Sequence, residues 1–299
     1  MTDRRETSRG PGRTRQTSQP KRGLANQPDW SEGERIAKYL ARAGVASRRQ
    51  AEAMIERGEV QVNGKKLKSP AFKVTGREDI RVNGHRVKAH EPVRVWRYHK
   101  PSGLITSTND PEGRRTIFDE LSKALPRTVT IGRLDLTTEG LLLLTNDGGL
   151  ARAMELPKTG LSRFYRARAH GKVTQADLDT LKDGVTLEDG TRFGSIIAEL
   201  ERETGTNNWI TLELTEGKNR EVRKALEHLG LQVNRLIRTQ YGPFELSDLR
   251  PGAVEEIPGN LLHSLLGDKI PEQFLPVTSP PPGERNKPNS KRRPRRTKR

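Results

Sequence analysis

Ile36, Leu40 and Ala43 recur at helical spacing and the run stops at Gly44, which predicts a short helix. Ser47-Arg48-Arg49-Gln50 then reads as a capping box, starting a second helix with Ala51, Met54 and Ile55 inward and Gly58 at its end. Val60 and Val62 alternate into Asn63-Gly64, a hairpin signal repeated at Val82-Asn83-Gly84. Helix, helix and small sheet make one module.

From Pro92 the pattern changes to strands. Val93, Val95 and Tyr98 alternate, Lys100-Pro101-Ser102-Gly103 makes a turn, and Leu104-Ile105 restarts a strand. Leu141 to Thr145 is a buried strand closed by Asn146-Asp147-Gly148, and Tyr165 to Ala169 and Trp209 to Leu214 alternate likewise. Helical periodicity appears at Gln175 to Leu181 and at Arg220 to Leu229, with Val222, Ala225, Leu226 and Leu229 inward. Strands outnumber helices and follow one another along the chain, so an α+β domain on a mixed, mainly antiparallel sheet is expected.

Composition adds the ends of the chain. Residues 1–30 and 271–299 are rich in Gly, Pro, Ser and Arg without periodicity and are expected to be disordered basic tails. Residues 31–91 form the small module and 92–270 the larger domain. Charge is unevenly spread: residues 1–30 hold seven Lys/Arg against three acids, residues 284–299 nine against one, and residues 31–77 eleven against five, whereas the chain as a whole carries +17. The larger domain is therefore close to neutral.

Basic tails with almost no apolar residues fit a phosphate-rich partner better than an anionic membrane. The absence of cysteine removes thiolate nucleophiles and Cys-based zinc sites, and the six histidines show no metal-ligand spacing. No stretch approaches a membrane span and no apolar leader is present, so a soluble cytoplasmic protein is expected, with no metal, no cofactor and no membrane partner.

The best candidate for chemistry is Asp135, set in Gly132-Arg133-Leu134-Asp135-Leu136-Thr137-Thr138-Glu139-Gly140 before four leucines. Alone, such a carboxylate reads equally well as a turn or helix cap. Arg35, Lys38, Arg42, Arg48 and Arg49 occupy the helix positions left free by the apolar face, and Lys65 and Lys66 follow the first hairpin turn. On spacing alone they form either an RNA-binding face or a solvated one.

Two resemblances decide between these readings. Arg35 to Ala51, with Val60-x-Val62-Asn63-Gly64, resembles the S4 RNA-binding domain. Gly132-Arg133-Leu134-Asp135-x-Thr137-x-x-Gly140, running on through Asn146-Asp147-Gly148, resembles the signature of the RsuA/RluB group of ribosomal RNA pseudouridine synthases. Lys100-Pro101-x-Gly103-Leu104-Ile105 and Gly217-Lys218-Asn219-Arg220-Glu221-Val222-Arg223-Lys224 look like that group's first and third motifs.

The resemblance implies an α+β chain in which an S4 domain precedes a pseudouridine synthase catalytic domain. The implied activity is isomerisation of uridine in ribosomal RNA to pseudouridine, without cofactor. It implies Asp135 as nucleophile, Arg223 as its ion-pair partner and Tyr165 as the residue that stacks on the base or helps remove its proton. Arg133 is expected to fill the space of a flipped base or touch phosphate, as is Arg220. The third motif is closer to the RluB branch, which acts on large-subunit (23S) RNA, than to the RsuA branch, which acts on small-subunit (16S) RNA. A non-catalytic S4-type assembly factor is the alternative from outside enzymology. The expected partner is ribosomal RNA or a ribosomal subunit precursor, met by a monomer.

Overall fold

The computed structural model describes residues 33–276, apart from 90, 109, 122–124 and 205. The tails expected at 1–30 and beyond 276 lie outside the described residues.

The first module is built as its pattern predicts. Helix α1 (Ile36–Arg42) buries Ile36, Ala37 and Leu40, and α2 (Arg48–Glu56) buries Ala51 and Ile55. Ala43, expected inward, is only partly buried because the helix ends at Arg42 and Ala43 caps it, whereas Ala37 packs inward. Ser47 Oγ accepts the Gln50 N–H at 3.2 Å and Gln50 Oε1 accepts the Ser47 N–H at 2.9 Å, which is the expected capping box. Strands β1 (Val60–Val62) and β2 (Ile80–Val82) pair centrally in a four-stranded sheet. Their hairpins turn on Asn63 at φ 51° and Asn83 at φ 49°, each followed by a glycine in the same left-handed region.

Apart from a separate antiparallel pair at Val185–Thr186 and Arg192–Phe193, the larger domain is built on a nine-stranded sheet. Its strands are β3 (Val95–Lys100), β4 (Val129–Ile131), β5 (Thr138–Thr145), β6 (Arg163–His170), β7 (Ile196–Thr204), β8 (Asn207–Leu214), β9 (Gln232–Tyr241), β10 (Phe244–Glu245) and β11 (Val254–Ile257). The order across the sheet is β7-β8-β6-β9-β5-β3-β11, with β4 on β5 and β10 on β9. Every pairing is antiparallel except β9 with β5, where Leu236, Ile237 and Arg238 run alongside Thr138, Glu139 and Gly140. The sheet is mixed and mainly antiparallel.

Strand β5 is the centre of this domain. Leu141 and Leu143 enter one apolar cluster and Leu142 and Leu144 another, and all four are fully buried. Burial on both faces explains why this strand reads as a continuous apolar run rather than an alternation. Helix α3 (Gly148–Glu155) follows at once, capped by Asp147, whose Oδ1 accepts the N–H groups of Gly149 at 2.7 Å and Leu150 at 2.9 Å. Helix α4 (Glu221–His228) buries Val222, Ala225 and Leu226 against β9, and α5 (Gly259–Leu266) buries Leu262 and Leu266.

Two expectations need correction. The strand expected to restart at Leu104-Ile105 amounts to a single bridge between Ile105 and Thr116. The folded chain also runs past the boundary expected at 270: Leu275 is fully buried and Phe274 packs on Gly149. Leu275 and Phe274 pack this end against the cluster that holds α3, and their signal in the sequence is weak because the surrounding residues are Pro, Glu and Gln.

Candidate active site

The segment between β4 and β5 is a short loop pinned from below. Gly132 adopts φ 71° and donates its N–H to Glu155 Oε1 at 2.7 Å. Leu134 is buried, and Thr106 Oγ1 both donates to the Leu134 carbonyl, at 2.8 Å, and accepts its N–H, at 3.3 Å. The side chain of Lys100, with no exposed surface, reaches up from the end of β3. Its Nζ donates to the carbonyls of Thr138 at 2.8 Å, Pro101 at 3.0 Å and Leu136 at 3.3 Å. Asp135 is thereby held, half-buried, on a loop whose two neighbours on either side are tied to the scaffold.

Lys100 matters electrostatically as well. Burial pulls its pKa down to about 8, against the opposing pull of Asp135 and Glu139. Its three carbonyl contacts use all three ammonium hydrogens. Glu139 is in turn held ionised, mainly by Arg235, whose guanidinium donates to both its oxygens at 2.6 and 3.0 Å.

Asp135 opens into a cleft of about 910 Å³ whose walls include Arg133, Tyr165, Lys218, Arg220 and Arg238. Three further residues of this cleft sit together for a reason of register. In the β6–β9 pair, Tyr165 faces Arg238, Phe164 faces Gln240 and Arg163 faces Tyr241, so Thr239 is an extra residue. That bulge returns Tyr241 to the same side as Arg238, Tyr165 and Arg163. Arg163 and Arg238 both stack on the Tyr241 ring, at 4.9 and 5.1 Å from its centre. Arg163 also donates to the Leu161 carbonyl and the Tyr241 hydroxyl, and Arg238 to the Leu141 carbonyl at 2.8 Å.

Arg223 requires a correction. Among the described residues no ion pair within 4.0 Å joins it to Asp135. Its guanidinium donates to Thr137 Oγ1 at 3.0 Å and to the Val233 carbonyl at 3.0 Å, so it clamps the loop two residues beyond Asp135 and acts on that carboxylate through space. Burial and the neighbouring Arg220 lower its pKa, and Asp135 and Glu227 oppose that.

Arg42 also departs from expectation. Its side chain is only 11% exposed and is engaged by Glu34 at 3.5 Å and by Asp147, in the larger domain, at 2.9 Å. Lys38 pairs with Glu34 at 2.9 Å, whereas Arg35, Arg48, Arg49, Lys65 and Lys66 are exposed. Arg35, Lys38, Arg42 and Arg48 border a smaller groove of about 260 Å³, closed on one side by Gln273 and Phe274.

The described residues include no group of three or more His, Asp or Glu side chains placed to hold a metal ion, and no helix long and apolar enough to cross a membrane. Lys100, Thr106, Arg163 and Arg238 escaped the sequence reading as site residues. Only Lys100 left a signal, since it continues the inward positions Trp96 and Tyr98 of its strand.

Comparison with known proteins bears on this constellation. A family model for RNA pseudouridylate synthase matches residues 94–228, and one for the S4 domain matches residues 34–80. A Rickettsia felis protein called an uncharacterized RNA pseudouridine synthase is 45% identical over 230 residues, covering 77% of this chain and 99% of the relative. The chain belongs to the RNA pseudouridine synthase family. Within that family, the ribosomal large subunit pseudouridine synthase B of Yersinia pestis is 44% identical over 220 residues, 72% of this chain and 69% of the relative. That of Pasteurella multocida is 42% identical over 263 residues, 83% of this chain and 75% of the relative. A crystal structure of a pseudouridylate synthase has the same fold, with a TM-score of 0.56 and 24% identity over 77% of this chain and 99% of that one. The family's chemistry is isomerisation of uridine within RNA.

Proposed function

We propose that this pseudouridine synthase acts on large-subunit ribosomal RNA and that Asp135 is its nucleophile. The observation that carries the reading is Asp135 itself: a half-buried carboxylate on a loop tied down by Lys100, Thr106 and Arg223, at the mouth of a cleft lined by Arg133, Tyr165 and Arg220. The large-subunit target is supported by the relatives named for that activity.

The chemistry follows from the placement. Asp135 assists rupture of the N1–C1′ bond of the target uridine, by attack on the ribose or by removing a proton from it. The freed uracil turns and rejoins C1′ through C5, displacing the Asp135 carboxylate from C1′ in the first case or with return of the ribose proton in the second, and the C5 proton is then lost while N1 gains one. Tyr165, on the floor of the same cleft, stacks on the uracil and assists that proton transfer. Arg133, exposed beside Asp135, takes the place of the flipped base in the helix stack or holds the flanking phosphate, and Arg220 binds phosphate from the facing motif.

The exposed Arg35, Arg48, Arg49, Lys65 and Lys66 of the S4 module grip the RNA backbone, and Lys38 joins them when phosphate displaces Glu34. The protein works as a monomer in the cytoplasm, without metal or cofactor.

The test is Asp135→Asn on transcribed large- and small-subunit ribosomal RNA. Pseudouridine, read by carbodiimide mapping, is expected in the large-subunit RNA alone. The variant is expected to lose at least about 10³-fold in turnover while RNA affinity changes little. Retained turnover would remove Asp135 from the mechanism, and modification of the small-subunit RNA would redirect the substrate assignment.

A further inference from the structure

The turn Gly217–Arg220 brings Lys218, Asn219 and Arg220 to the wall of the cleft, and two glutamates flank it. Glu221, in the first turn of α4, is 4% exposed. Its Oε2 accepts the Lys218 N–H at 2.9 Å, and its Oε1 is buried with no ordinary donor against it. Glu216 stands within hydrogen-bonding contact of Glu221. Its own Oε2 accepts the Lys218 ammonium at 2.9 Å and the Gly194 N–H at 3.2 Å. The two carboxyls therefore bracket the turn, one on each side of Lys218.

Two carboxylates in contact, one of them buried, do not both ionise at low cost, and one proton between them removes the repulsion. The other charged groups facing the pair are Lys218, Arg163 and Arg220. The Lys218 ammonium is also held by the Arg192 carbonyl at 2.8 Å. Arg163 runs beside Gly217, but its Nη atoms are engaged by the carbonyls of Leu161 and Thr215 and by the Tyr241 hydroxyl. Arg220 leads into the helix at φ 52°. Lys218 favours a second anion, yet burial opposes it more strongly, with Glu216 adding repulsion, and the Glu221 carboxyl is pushed up to about 7.

We propose that Glu221 is a positioning residue: protonated, it donates to the Glu216 carboxylate, and this shared proton locks the Gly217–Arg220 turn in the shape that presents Lys218 and Arg220 to RNA. The inference rests on the reading of that turn as part of the RNA-binding wall. Loss of the proton sets two like charges beside the turn and adds negative charge next to the bound phosphates. RNA affinity thus weakens in the alkaline direction, while the chemistry at Asp135 is untouched.

Glu221→Gln separates this from a merely structural role, because the amide still accepts from Lys218 and donates to Glu216 at every pH. With full-length protein and transcribed large-subunit ribosomal RNA, KM of the wild type is expected to rise roughly tenfold between about pH 6 and pH 8, in proportion to the lost protonated fraction. KM of Glu221→Gln is expected to stay level. Carbon-13 NMR of labelled glutamate reads the Glu221 carboxyl directly, whatever the fate of activity. Titration near neutrality, absent in the variant, together with the KM difference, supports the proposal. Ionisation in the ordinary carboxylate range overturns it. Titration near neutrality with a flat wild-type KM, or with the same rise in the variant, overturns the link to RNA and leaves the Asp135 assignment, read from product formation, standing.

Discussion

The Asp135 carboxylate is a single group, but its position is set by Lys100. A buried ammonium that donates to the Leu136 and Thr138 carbonyls of the Asp135 segment and to the Pro101 carbonyl of its own turn is a stiff tether, since charge-assisted hydrogen bonds are stronger than neutral ones. Lys100→Met leaves three carbonyls without that donor and is expected to cost about 2–4 kcal/mol of stability and to lower turnover more than RNA affinity, measured by urea denaturation and single-turnover kinetics. The pH dependence has a definite sign. With a native pKa near 8, below the ordinary lysine value of 10.5, the folded state releases the proton first. Stability from this group is therefore lowest below pH 8 and rises between pH 8 and 10.5. Activity runs the other way, because a neutral amine can satisfy only two of the three carbonyls. Denaturation midpoints and rates across that window are expected to diverge in the wild type and to lose this slope in Lys100→Met.

At the scale of elements, the site depends on the one parallel contact in the sheet. Gly140 sits where β5 begins beside β9, at φ 105°, and a Cβ there would come within 2.3 Å of the Arg238 carbonyl. Gly140→Ala is expected to destabilise the protein by about 3 kcal/mol or more, through strained backbone and displacement of β9, and to lower the thermal midpoint in differential scanning calorimetry. The four leucines, the capping box and both Asn-Gly turns were legible in the sequence, because periodicity and turn chemistry are local. Strands β7, β9 and β11 and helices α3 and α5 were not. Their pattern is diluted: β9 reads Gln-Val-Asn-Arg-Leu-Ile-Arg-Thr-Gln-Tyr, with Arg238 turned into the cleft, Arg235 paired with Glu139 and a bulge at Thr239 breaking the alternation.

On the scale of the whole molecule, the S4 module and the larger domain are joined by more than a linker. Arg42 crosses from α1 to Asp147, the residue that caps α3 directly after β5. Asp147→Asn keeps the oxygen that caps α3 but loses the charge that holds Arg42, and Arg42→Met loses the cation. Both are expected to loosen the two modules, seen as a larger radius of gyration by small-angle X-ray scattering, and to cost about 3 kcal/mol of stability, because each change leaves a largely buried charge without this partner. RNA affinity is expected to fall only modestly, because the exposed S4 cations remain.

What the sequence by itself determined is what neighbours along the chain decide: two capped helices and two hairpins in the S4 module, a buried leucine strand, and a contiguous signature that singled out Asp135. The tertiary structure decided everything that depends on side chains far apart in sequence. It showed that Arg223 clamps Thr137 rather than pairing with Asp135, that Arg42 faces a carboxylate of the other domain, and that Lys100, 35 positions before Asp135, carries its loop. The physical reason is that a charged side chain reads the same in sequence whether solvent, RNA or a buried carbonyl receives it. Only packing sets which of these lies within hydrogen-bonding distance.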